Sequence, residues 1–212
     1  DMLYQSAFRI GRAAQSVTNS VIVCSGALSM HRRDFVVNNI DEFLRDKYFG
    51  ITLTTGDDRK LTDIALKCGG KTKYQSTALC VTDVPKNPKM FFKQQVRWSK
   101  SFFLQTLDSM RHAWNKPFMM MWLLGEGLLW FIFVVSQIMS LVTFTPGYYI
   151  NMFLFIVAYF VLSSFIFGLY YFFKNPIVFI AAPFYSLIHM VLLFPVRIYA
   201  LLTLNKSSWG TR

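Results

Sequence analysis

The hydrophobic pattern divides the chain unequally. Pro117 to Phe144 carries one charge, Glu126, in 28 residues, and Tyr148 to Phe173 carries none. At about 1.5 Å rise per residue, each run exceeds the roughly 20 residues that cross a hydrocarbon core. Thr145-Pro146-Gly147 between them is short, uncharged and rich in breakers. Lys116 and Lys174 flank the outer ends, which predicts a transmembrane hairpin over 117–173 with both ends cytoplasmic. A third apolar run, Pro176 to Leu204, contains Pro183, Pro195 and Arg197, and a full crossing would leave Lys206 and Arg212 outside. Residues 174–204 therefore read as an interfacial or re-entrant segment broken at its prolines, with Arg197 reaching toward headgroups.

Residues 1–116 have a different rhythm. Asn19 to Met30 contains a β-branched stretch running into Cys24-Ser25-Gly26, the pattern of a buried strand ending in a small-residue turn. Thr52 to Gly56 leads into Asp57-Asp58-Arg59, after which Leu61, Ile64, Ala65 and Cys68 recur at helical spacing until Gly69-Gly70. Lys71 to Val81 has strand character, ended by Asp83-Val84-Pro85. Met90 to Trp114 is an amphipathic helix, with Phe92, Val96, Phe103, Leu107, Met110 and Trp114 on one stripe and Lys93, Arg97, Lys100 and Arg111 on another. Strands alternating with helices predict an α/β domain, followed by a helical membrane region with amphipathic interfacial helices.

Composition sharpens the division. Of 22 Lys/Arg and 11 Asp/Glu in 212 residues, 18 and 10 precede Phe118, so most of the charged residues, and +8 of the net charge of +11, belong to the first part. An apolar content of 54% and an aromatic content of 17% exclude a disordered chain or one ordinary soluble globule. The basic residues are dispersed, which favours anionic headgroups or a phosphorylated substrate over nucleic acid. Cys24, Cys68 and Cys80 are too few and too scattered for a disulfide framework or zinc site. The chain begins at Asp1 with no signal sequence, and reads as a fragment.

Two constellations carry candidate chemistry. Asp57 and Asp58 fall at a helix start, where aspartate is a favoured cap and suits the helix dipole. The same position would serve a general base acting on a hydroxyl. Gln94, Arg97 and Trp98, at i, i+3 and i+4, put an amide, a guanidinium and an indole on one patch, suited to a diphosphate and a sugar ring or to an interfacial helix. Glu126, within the first apolar run, implies either a partner or wet cavity, or a carboxylate with no role.

Several motifs match a known family: RAAQS (12–16), CSGALS (24–29), GDDRKLT (56–62), YQSTALCVTDVP (74–85), KQQVRWSKSFF (93–103) and SSWGTR (207–212). By these the chain resembles the membrane-embedded, processive family 2 glycosyltransferases, and within them the bacterial class I hyaluronan synthases, along essentially its whole length. QxxRW at this distance after Asp-Asp-Arg is specific; either piece alone is weak. The resemblance implies a layout in which 1–88 is the C-terminal part of a cytosolic nucleotide-sugar glycosyltransferase domain. Residues 89–116 are then the interfacial helix bearing QxxRW, 117–173 a transmembrane hairpin, 174–204 interfacial, and 205–212 the WGTR gating loop, at the plasma membrane with the catalytic part cytoplasmic.

It further implies that Asp58 is the general base, supported by Asp57, and that Arg97 holds the UDP diphosphate. Gln94 contacts substrate or acceptor, Trp98 stacks under the acceptor sugar, and Trp209 and Arg212 close over the nucleotide. Cys24, Ser25 and Gly26 would line the acceptor region, close enough for thiol alkylation to impair activity. Partners would be UDP-GlcNAc, UDP-GlcA, the growing polysaccharide and membrane lipid. Mg²⁺ or Mn²⁺ would be held by acids upstream of Asp1, leaving this chain inactive alone. The chain departs from the family at Ala27, usually Pro, and at Gly11, usually an acid. Alternatives are a chitin or chitooligosaccharide synthase using UDP-GlcNAc alone and, from another class, a non-enzymatic transporter or channel subunit.

Overall fold

The computed structural model describes residues 7–45, 47–83, 85–142 and 146–206. It divides into two units, Leu3–Gly125 with Val196–Arg212, and Glu126–Pro195. The first unit opens with a π-helical turn, Ala7–Arg12, running into α1 (Ala13–Val17), then α2 (Arg33–Asn38) and α3 (Ile40–Leu44). A hairpin of β1 (Lys47–Tyr48) and β2 (Ile51–Thr52) follows, antiparallel with Lys47 opposite Thr52 and Tyr48 opposite Ile51. Next come α4 (Asp57–Lys67), α5 (Pro88–Ala113), α6 (Pro117–Val142), α7 (Pro146–Lys174) and α8 (Pro176–Leu202).

The start of α5 is built from local chemistry. Pro88 sits in the first turn, where its missing N–H costs nothing, and the Asn87 side chain accepts from Met90 N at 2.8 Å. At the other end of α4, Lys116 Nζ donates to the Leu66 and Lys67 carbonyls, putting a cation on orphan acceptors at a helix C-terminus.

The α/β expectation is corrected in detail. The β-branched run Val21-Ile22 is buried, yet its only sheet pairing is the parallel bridge Ser20 to Thr72, so neither 19–30 nor 71–81 is a ladder-forming strand. The sheet among the described residues is instead the short hairpin at Lys47–Thr52, and the structure is mostly helical. Burial made Val21 and Ile22 strand-like in pattern, but a strand needs a neighbour to complete its backbone hydrogen bonds. The hairpin escaped notice because its turn is Phe49-Gly50, with φ of 51° and 81°. Both central residues are left-handed, as such turns require, but without the usual Asn-Gly signature.

Two apolar clusters hold this unit. Ile22, Leu66, Ala113, Met119 and Leu123 join the extended segment to α4 and the α5–α6 junction. Tyr48, Leu53 and Leu104, with Ile51 and Leu204 against them, join the hairpin to α5 and the tail of the chain.

The second unit is helical. Gly168 on α7 lies close to α8, where a Cβ would meet the Phe179 ring at 3.4 Å and Ala182 at 3.6 Å, in ordinary contact. Phe165 and Phe172 pack on Phe179 with centroids 5.1 and 5.2 Å apart. The break expected at the α8 prolines is absent, because one helix runs through Pro183 and Pro195. A proline there forfeits a backbone bond, a local cost that this helix bears at two positions. Among the described residues, no helix is long and apolar enough to cross a membrane.

Candidate functional site

The site is organised around the turn Thr55-Gly56-Asp57-Asp58. Gly56 has φ +89° and immediately precedes α4. A Cβ on it would come within 2.8 Å of Ser101 Oγ and 2.9 Å of Gln105 Oε1, so glycine is required both by the left-handed backbone and by the approach of α5. Three contacts exploit that approach. Gln105 Nε2 donates to Gly56 O at 3.1 Å, the Thr55 and Ser101 hydroxyls lie 3.0 Å apart, and Arg59 donates to Thr106 Oγ1 at 3.3 Å. The Arg59 guanidinium also lies 5.3 Å from the Phe102 ring centroid. Ser101 and Gln105 continue the stripe of Gln94, Arg97 and Trp98 along α5. The QxxRW patch therefore ends, at Arg97 and Trp98, about one helical turn, roughly 5–6 Å, before the clamp on the Asp-Asp turn. Trp98 is 43% exposed.

Asp58 faces the Cys24–Gly26 turn. Gly26 N donates to Asp58 Oδ2 at 3.2 Å, and Asp58 Oδ1 accepts from Arg59 N at 2.8 Å. A carboxylate offers about four acceptor positions, so both oxygens keep capacity for another donor. Thr62, one turn on, accepts from Cys24 N at 2.9 Å and donates to Asp58 O at 2.6 Å. Burial pushes the Cys24 thiol above its ordinary range; the Thr62 hydrogen bond and Arg12 oppose this, and the Asp58 charge adds to it. The thiol is thus a poor nucleophile at neutral pH. Asp57 points elsewhere. It is exposed and lines a cavity of about 240 Å³ with Thr55, Lys60, Gln105, Phe43, Leu44 and Leu53.

RAAQS has a structural task. Gln15 is buried, and its Oε1 accepts from Ile22 N at 3.3 Å and from Arg12 at 2.8 Å, while Ser16 Oγ accepts from Tyr74 N at 3.0 Å. These bonds fix the segment that delivers Cys24, Ser25 and Gly26. Trp209 and Arg212 lie outside the described residues, as does the side chain of Glu126 on α6. The chain just before 207 is anchored: Lys100 Nζ donates to Lys206 O at 2.5 Å, and Leu204 packs on the hairpin cluster. Burial, followed by the neighbouring Lys206 charge, holds the Lys100 amine below its ordinary range. Thr62, Ser101 and Gln105 are not among the candidates of the sequence, although Thr62 stands four residues from Asp58, Ser101 three from Trp98, and Gln105 four beyond Ser101 on the same helix face.

Among the described residues, no cluster of three or more His, Cys, Asp or Glu could hold a metal ion. The resemblance expects the acids that hold its divalent ion upstream of Asp1, not among these residues.

No protein-family model matches the chain. The curated hyaluronan synthase of Streptococcus pyogenes serotype M1 is 35% identical over 218 aligned positions, covering all of this chain and 50% of that protein. The chain is a relative of the hyaluronan synthases. Hyaluronan synthase 2 of Xenopus laevis is 32% identical and hyaluronan synthase 3 of Homo sapiens 31%, each across 98% of this chain and 37% of its own length. Against the streptococcal hyaluronan synthases the chain spans about half the relative's length.

Proposed function

We propose that this chain is the acceptor-activating and membrane-embedded portion of an inverting, processive hexosyltransferase that polymerises UDP-GlcNAc and UDP-GlcA into hyaluronan. The observation that carries the reading is the meeting of three motifs. The Cys24–Gly26 turn donates to Asp58, and the Asp58 turn is clamped to α5 one turn from Arg97 and Trp98. Asp58 accepts the proton of the acceptor hydroxyl as the oxygen attacks the anomeric carbon. The bond to UDP breaks, its electron pair leaving with the diphosphate, and configuration inverts. Arg97, with Arg212, meets the departing charge; Trp98 and Gln94 hold the acceptor sugar, and Trp209 covers the nucleotide. Asp57 supports the turn.

The proposed layout keeps 1–88 and the 89–116 helix on the cytoplasmic side, with 117–173 as a membrane hairpin. The anchoring of Lys206 to Lys100 supports a cytoplasmic course for 174–204, which returns the 205–212 segment to the site. The membrane assignment rests on the sequence runs, which include positions such as Phe133 and Val134 whose side chains lie outside the described set. It is supported by the exposure of Phe131, Ile132, Phe153 and Phe155.

The test is the product. Membranes bearing the intact protein should make polymer only when both UDP-GlcNAc and UDP-GlcA are supplied, and hyaluronidase should digest it. Polymer from UDP-GlcNAc alone, resistant to that enzyme, would replace this reading with a chitin-type synthase.

A further inference from the structure

We infer that Thr62 is a positioning residue for the Asp58 carboxylate, acting by fixing the turn that supplies the Gly26 N–H. The inference rests on the reading of Asp58 as base. A threonine hydroxyl donating to the carbonyl four residues back is ordinary inside a helix and would carry nothing by itself. Here the same oxygen accepts from Cys24 N, 38 residues away in sequence, and the side chain is 0% exposed.

The result is a short relay of dipoles, Cys24 N–H to Thr62 O–H to Asp58 C=O, that ties the acceptor turn to the first turn of α4. Two residues beyond Cys24, Gly26 N–H reaches Asp58 Oδ2, and the Gly26 backbone sits so near that an added Cβ would touch Asp58 Cβ at 3.5 Å. Leu28 N closes the turn onto Ser25 O at 3.2 Å, so the turn moves as a unit with its Cys24 anchor. Replacing the Thr62 oxygen by a methyl group removes the acceptor for Cys24 N–H and frees the turn to shift. Asp58 then loses its outer donor and is oriented by the Arg59 N–H alone. Small misplacements of a reacting group cost rate rather than binding.

The experiment compares Thr62→Val, which keeps volume and removes the hydroxyl, with Thr62→Ser, which keeps the hydroxyl, in membranes holding the intact protein. Asp58→Asn runs alongside. Thr62→Val should lower kcat about ten- to a hundred-fold with KM for either UDP-sugar within about twofold. Thr62→Ser should recover kcat to within about threefold of the parent. If Thr62→Val does not accumulate, Thr62→Ala is read by the same kcat-against-KM split. An unchanged kcat in the valine or alanine variant, with Asp58→Asn inactive, overturns the positioning role alone. Serine behaving as badly as valine does the same. Full polymer synthesis by Asp58→Asn overturns the base reading and this inference with it.

Discussion

The turn at Thr55–Asp58 and the Glu126–Pro195 unit satisfy their polar groups in opposite ways. Around the turn, hydrogen bonds join residues far apart in sequence: Gly26 to Asp58, Cys24 to Thr62, and Gly56 to Gln105. In the helical unit, the hydroxyls of Ser163 and Ser164 donate to carbonyls of their own helix, Tyr159 and Val161. The contacts described between α7 and α8 include packed rings and the close approach at Gly168, and large apolar side chains such as Phe155, 72% exposed, face outward. The difference is one of surroundings. A site that must hold a carboxylate in one geometry needs donors brought from several segments. On the membrane layout proposed above, helices that keep their hydrogen bonds internal and leave phenylalanine outside would suit a medium that cannot hydrogen-bond.

That contrast can be broken at either end. The largest effect is expected at Gly56→Ala, where a left-handed backbone and an overlap with Ser101 and Gln105 combine. The expected cost is about 2–5 kcal/mol, with polymer synthesis lost. Thermal unfolding of the intact protein in detergent checks it, and parental stability would show that α5 does not clamp the turn. A smaller effect is expected at Phe155→Arg, where the membrane reading predicts about 2–3 kcal/mol against insertion and a fall in membrane-integrated protein. A variant that integrates as the parent does, with its polymer synthesis unchanged, would remove Phe155 from the lipid-facing surface.

Legibility in the sequence followed the range of the interactions. α4 and α5 were readable because their apolar positions repeat at helical spacing, and Asp57 and Asp58 were placed at a helix start by that pattern. The approach of Cys24–Gly26 to Asp58 was not in any local pattern and came only through resemblance. Periodicity misassigned the strands, since buried Ile22 packs with Leu66 of α4 and with Met119 and Leu123 of α6 rather than within a sheet. It also missed the Phe49-Gly50 turn, whose strained phenylalanine is held by Arg111, 4.2 Å from its ring centroid. Thr62 and Gln105 were invisible for a related reason. Each has a partner on another segment, Cys24 N for Thr62 and Gly56 O for Gln105, and a buried polar residue within a helix carries no periodic signal.

The most direct test of the account is Asp58→Asn in the intact protein, with polymer synthesis and UDP binding measured on the same membranes. Asparagine keeps the shape and can accept from Gly26 N–H through its amide oxygen, but it cannot take the acceptor proton. The account predicts polymer synthesis reduced by roughly a hundred- to ten-thousand-fold, with UDP affinity within a few-fold of the parent. Synthesis at the parental rate would contradict it.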